Sequence, residues 1–196
     1  MGTFLAQGWA NGCSYNAGCL DMFRQVVSRS TIDTQALGEQ LGGLLQSGDI
    51  VCLYGELGSG KTVLAKGIAR GLGVADEARV RSPSYVLIHC YQGRVPIYHA
   101  DLYRLDGPTD LADIGLREFL AGDGVAVIEW ADKLEASLPS ERLDIVLAHQ
   151  EEQTRLITVT PQGARTHQLF ECWLALPMAC GEACGPQGDG GERTAP

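Results

Sequence analysis

Apolar positions recur along this chain in two rhythms. Leu37, Leu41, Leu44 and Leu45 return every three to four residues, with Ser30 ahead of them and Asp33 three positions after it. That spacing predicts a helix from a Ser30 cap to about Leu45, with Asp33 in the capping-box position. Ser47-Gly48-Asp49 then breaks the pattern, and residues 50–54 run apolar without interruption, as a buried strand does. Leu64, Ile68 and Leu72 lie four apart and predict a second helix, stopped by Gly71 and Gly73. Farther on, residues 86–88 and 95–101 flank the turn Tyr91-Gln92-Gly93-Arg94 and predict a hairpin. Pro96 suits an edge or the start of a strand. Asp110 caps a stretch predicted helical to about Leu120, interrupted at Gly115. Residues 124–128 read as another buried strand. Residues 143–148 and 155–160 read as a closing pair around a polar turn.

Both ends lose the period. Residues 1–27 read as a disordered extension, or as a start assigned upstream of Met22, and residues 164–196 as a disordered C-terminal tail. One domain, 28–163, is left between them.

Between the first buried strand and the second helix stands Gly55-Glu56-Leu57-Gly58-Ser59-Gly60-Lys61-Thr62, the pattern G-x-x-x-x-G-K-T. Strand, glycine loop and helix together make this a phosphate-binding loop rather than a chance match. Glycines at 55, 58 and 60 let backbone N–H groups turn inward as an anion nest, and the helix adds its unpaired N-terminal N–H groups. Lys61 supplies a mobile charge for the β- and γ-phosphates, Thr62 a hydroxyl for Mg²⁺, and Val63 a backbone N–H. Ser59 lies within the same nest. The pattern points to a nucleoside triphosphate.

Two acids complete the chemistry. Residues 125–128 end in Glu129-Trp130, the outline of a Walker B element, in which a central strand delivers a carboxylate beside the metal. Asp101 also ends a predicted strand, where ligands sit in open α/β folds; the same position suits a turn residue. Ser84 and Tyr85 follow Pro83, either as a segment sensing the γ-phosphate or as an ordinary turn. His99 reads as a structural strand histidine.

Composition narrows the setting. At 196 residues with 45% apolar content the chain can bury one substantial core. A formal charge of −9 argues against a general electrostatic grip on nucleic acid. No membrane-length apolar run or secretory leader is visible, so the cytoplasm is expected. The seven cysteines form no C-x-x-C pair; Cys52 and Cys90 read as small buried hydrophobes.

The phosphate loop, Ser82-Pro83-Ser84-Tyr85, the run from Tyr98 through His99-Ala100-Asp101-Leu102-Tyr103-Arg104 to Leu105, and Ile128-Glu129-Trp130 follow one another as in the TsaE family. Thr34 with Leu37-Gly38 matches that family's N-terminal element, and the chain resembles it from about Ser30 to Gly163. Ser84 stands where the family usually has Thr. The resemblance implies an α/β, P-loop NTPase-like three-layer fold with a mixed, mainly parallel central sheet and a hairpin insertion. It implies Mg²⁺-dependent ATP hydrolysis in support of tRNA threonylcarbamoyladenosine synthesis, in partnership with TsaB and TsaD. It also implies that Thr62 and Glu129 hold Mg²⁺, that Asp101 serves hydrolysis, and that Trp130 lies near the nucleotide. Thr34 and Arg155 would be further nucleotide contacts. A small-metabolite kinase is the main alternative, though no arginine-rich lid is visible; a nucleotide-switched adaptor is the other.

Overall fold

The computed structural model describes residues 23–76, 79–83, 86–105, 120 and 122–177. The order is β1 (Arg24–Ser28), α1 (Thr31–Leu44), β2 (Ile50–Tyr54), α2 (Lys61–Gly71), β3 (Ile88–Gln92), β4 (Pro96–Asp101), β5 (Val125–Glu129), a 3₁₀ stretch (Ala131–Ser137), β6 (Arg142–His149), β7 (Arg155–Gln162) and α3 (Ala164–Leu174). One seven-stranded sheet runs β1-β7-β6-β2-β5-β4-β3. Its centre, β6-β2-β5-β4, is parallel, and the flanking pairs are antiparallel. The expected hairpin is β3–β4. None of the described helices is long and apolar enough to cross a membrane.

Strand alternation divides the core into two faces. Val51, Leu53, Val125, Val127 and Ile145 pack with α1 and α2, whereas Ile50, Cys52, Ala126 and Ile128 meet Leu102 and Leu134 on the other side. These are the three layers of a P-loop NTPase-like fold. Cys52 is buried, which pushes its thiol up to about 12. Cys90, expected inside, is exposed on edge strand β3.

Helices α1 and α2 touch backbone to backbone. Gly38 and Gly42 on α1, and Gly67 and Gly71 on α2, each four residues apart, form the stripes along which the two backbones meet. A Cβ on Gly67 would lie 2.1 Å from the Gln35 carbonyl oxygen, and one on Gly42 2.3 Å from that of Ile68. The cap of α1 departs slightly from expectation. Asp33 N–H donates to Ser30 Oγ at 3.1 Å, but the Asp33 carboxylate accepts from Arg29 N–H at 2.9 Å instead of from Ser30. At the far end, Arg94 of the hairpin turn donates to the carbonyls of Gly71 at 2.7 Å, Gly42 at 2.8 Å, and Leu45. One guanidinium thus closes both helix C-termini, a place where cations are favoured.

Two domain boundaries move. β1 begins at Arg24, inside the expected extension, because Val26 pairs with Ile157 and is fully buried. The expected tail gives way to α3, which buries Thr166, Leu169, Phe170 and Trp173. Their spacing of three, one and three is a helical face. Glu141 accepts from the Ala164 and Arg165 N–H groups at the start of α3, at 3.0 and 3.1 Å, and Arg165 pairs with Asp49 at 3.0 Å. Most of the predicted 110–120 helix, together with Cys180 and Cys184, lies outside the described residues.

Candidate nucleotide site

Parallel pairing brings the C-terminal ends of β2, β5 and β4 to one edge of the sheet, and the phosphate loop leaves from β2 there. Gly60, with φ of 105°, caps α2 without a side-chain hydrogen bond, so the first N–H groups of the helix stay available to an anion. Gly55, with φ of 138°, passes so close to the Leu147 carbonyl that no side chain fits.

Lys61 is buried and folded back on its own loop. Its Nζ donates to the Gly55 carbonyl at 2.6 Å and the Glu56 carbonyl at 2.9 Å, and stands 3.9 Å from the centroid of the Trp130 ring. Burial holds its pKa below the ordinary 10.5, against the opposing pull of Glu129, Asp101 and Asp132. The ring reaches it through a tight turn, with Trp130 itself at a φ of 59°, in the left-handed region. Tyr103 flanks the indole, ring centroids 5.0 Å apart.

Register sets Asp101 directly opposite Glu129. Glu129 is buried, and each of its carboxylate oxygens has a partner. Thr62 Oγ1 donates to Oε2 at 3.0 Å, and His99 Nε2 lies 2.9 Å from Oε1. Asp101 accepts from Ser82 Oγ on one oxygen and from the Tyr103 N–H on the other, at 3.0 Å. The donor set fits Mg²⁺: a hydroxyl and a carboxylate oxygen within reach of one point are hard ligands, and Mg²⁺ commonly takes its others from phosphate and water.

Two cavities of about 330 Å³ flank the loop. Lys61, Thr62, Ser82, Asp101, Glu129 and Trp130 line the first. Thr34, Ser59, Gly60, Glu152, Gln153 and Arg155 line the second. Gly58, Gly60 and Val63 border both. Arg155 Nε donates to the Ser59 carbonyl at 3.1 Å, and its Nη1 to those of Glu151 and Glu152 at 3.3 and 3.1 Å, tying the loop to the β6–β7 turn. Thr34 shares a 2.7 Å hydrogen bond with Ser28.

The residues read from sequence therefore converge on the loop and its two sides. Ser84 and Tyr85 lie outside the described residues. His99, read as a structural strand histidine, is buried on β4, and its ring reaches Glu129. A usable signal existed, since residues two apart on a strand share a face and His99 precedes Asp101 by two. Ser82, which stands out in sequence only as the start of Ser82-Pro83-Ser84-Tyr85, donates its hydroxyl to Asp101.

A family model for the threonylcarbamoyl adenosine biosynthesis protein TsaE matches residues 28–157. The chain is 43% identical over 133 residues to the tRNA threonylcarbamoyladenosine biosynthesis protein TsaE of Treponema pallidum (strain Nichols), covering 68% of this chain and 97% of that one. It is 39% identical over 140 residues to the protein of the same description from Bacillus subtilis (strain 168), covering 71% and 86%. Among solved structures, Bacillus subtilis YdiB superposes with a TM-score of 0.68 at 34% identity, covering 78% of this chain and 94% of that one. A match across two thirds of the chain, with the loop and both acids inside it, means that this protein belongs to the TsaE family.

Proposed function

We propose that this chain is a Mg²⁺-dependent ATPase of the cytoplasm that supports the threonylcarbamoyladenosine modification of tRNA, working with TsaB and TsaD. One observation carries the reading: Lys61, Thr62, Glu129 and Asp101 face one cavity at the carboxyl edge of the sheet. Lys61 exchanges the Gly55 and Glu56 carbonyls for the β- and γ-phosphates, and the α2 N-terminus receives the remaining charge. Thr62 and Glu129 would hold Mg²⁺, which when bound would neutralise charge on the phosphate oxygens. Asp101, fixed by Ser82 and the Tyr103 N–H, orients the attacking water and accepts its proton. Thr34 and Arg155 border the second cavity, which takes the nucleoside end.

The mouth of the first cavity includes exposed apolar surface, Leu57 at 73% and Tyr103 at 46%. Closure by a protein partner would exclude bulk solvent there, leaving the attacking water and strengthening the electrostatic interactions around it. The acidic balance favours tRNA reached through the assembly rather than bound directly.

Asp101→Asn and Glu129→Gln keep shape and remove charge. Both are expected to stay folded and to lose about 10²-fold or more in phosphate release, the scale of a positioned acid–base group. Losses of about tenfold or less in both would favour the nucleotide-switched adaptor.

A further inference from the structure

We infer that His99 is the positioning residue for the metal-facing carboxylate, fixing which oxygen of Glu129 is offered to Mg²⁺. The inference rests on the metal assignment proposed above and adds a residue to it.

His99 and Glu129 are 2% and 3% exposed, so the contact between them is shielded from bulk solvent. Nε2 stands 2.9 Å from Oε1, and Nδ1 is buried with no hydrogen-bond partner among the described residues. A proton on Nδ1 would be a buried donor without an acceptor, so the proton belongs on Nε2 and the ring donates to Glu129. Tyr91 flanks the ring at a centroid distance of 6.4 Å, on the side away from the loop. Oε1 is thereby occupied, and Oε2 is the oxygen turned to the Thr62 hydroxyl. Without the imidazole N–H, Glu129 could rotate and present either oxygen, or turn away from Thr62. The backbone reinforces the geometry. His99 and Asp101 lie two apart on β4, and β4 pairs in parallel register with β5, so the ring and both acids occupy neighbouring strands at one edge. Partners behind a metal ligand commonly change metal affinity by about 10- to 100-fold when removed.

The test is calorimetric titration of Mg²⁺ into the ADP-saturated full chain, paired with ADP titration in EDTA. Wild type is compared with His99→Gln, His99→Asn, His99→Phe and Glu129→Gln. Gln can place an N–H near the position of Nε2; Asn is too short, and Phe keeps the ring without a donor. Asn and Phe are expected to weaken Mg²⁺ binding about 10- to 100-fold while leaving ADP affinity in EDTA at the wild-type value, with Gln within about threefold of wild type. Whichever of Asn and Phe folds carries the comparison. Wild-type Mg²⁺ affinity in either would overturn the inference, as would a loss in Gln equal to theirs or a matching loss of ADP affinity in EDTA. Glu129→Gln separates the two levels. If it too binds Mg²⁺ like wild type, the metal assignment itself fails; if it alone loses Mg²⁺, only the role of His99 fails.

Discussion

Lys61→Ala is expected to release no phosphate from ATP above the buffer rate while remaining folded. The two consequences have separate causes. In the nucleotide-free fold the ammonium is buried at a desolvation cost that lowers its pKa, and among the described residues its hydrogen bonds go to loop carbonyls alone. Removing it relieves that cost, so thermal stability should hold or rise. During hydrolysis the same charge is the protein's only cation at this cavity among the described lining residues. Its loss removes stabilisation of the transferring phosphoryl group, an effect that in comparable sites is worth about 10²–10³-fold or more. Phosphate release and a thermal melt of the same preparation check both halves. Wild-type turnover by this variant would show that the loop is not the hydrolytic site.

Gly67→Ala is expected to reverse the usual sign of a glycine-to-alanine change in a helix. Alanine ordinarily stabilises an exposed helix interior by about 1 kcal/mol relative to glycine. Here the added Cβ would meet the Gln35 carbonyl oxygen at 2.1 Å, and neither helix backbone can yield without dragging its core residues along. A loss of about 3 kcal/mol or more is expected, at the upper end for overpacking. Gly43→Ala in α1 is the control, because a Cβ there has nothing within 4 Å. That variant should be neutral or up to about 1 kcal/mol more stable. Urea unfolding of both decides it, and equal stabilities would mean that α1 and α2 are not in backbone contact.

These cases mark what could be read along the chain and what could not. The loop, β2 and β5 were legible because contiguous apolar runs and glycine spacing are local signals. Both helices were placed by their leucines, yet the glycine stripes that seat them together went unread. Gly38, Gly42, Gly67 and Gly71 show their meaning only once two helices are known to be neighbours. Helix α3 was lost because Leu169, Phe170 and Trp173 share a segment with Arg165, His167, Gln168 and Glu171, and the segment leads into glycine-rich sequence. In the site, Asp101 and Glu129 announced themselves as acids at strand ends. Spacing alone puts His99 on the face of Asp101, but its contact with Glu129 depends on β4 lying beside β5 in parallel, a long-range pairing. Arg94 is the same kind of case, a turn residue whose partners lie on two distant helices.

The most direct measurement is phosphate release from Mg²⁺-ATP by the purified chain, alone and with TsaB and TsaD. The cavity mouth carries exposed Leu57 and Tyr103, and Arg104, next to Tyr103 in sequence, is not among its described lining residues. Slow release alone and marked stimulation by the pair are therefore expected, together with little binding of free tRNA at physiological salt. Rapid release that the partners leave unchanged, or tight salt-sensitive tRNA binding by the chain alone, would contradict the proposed function.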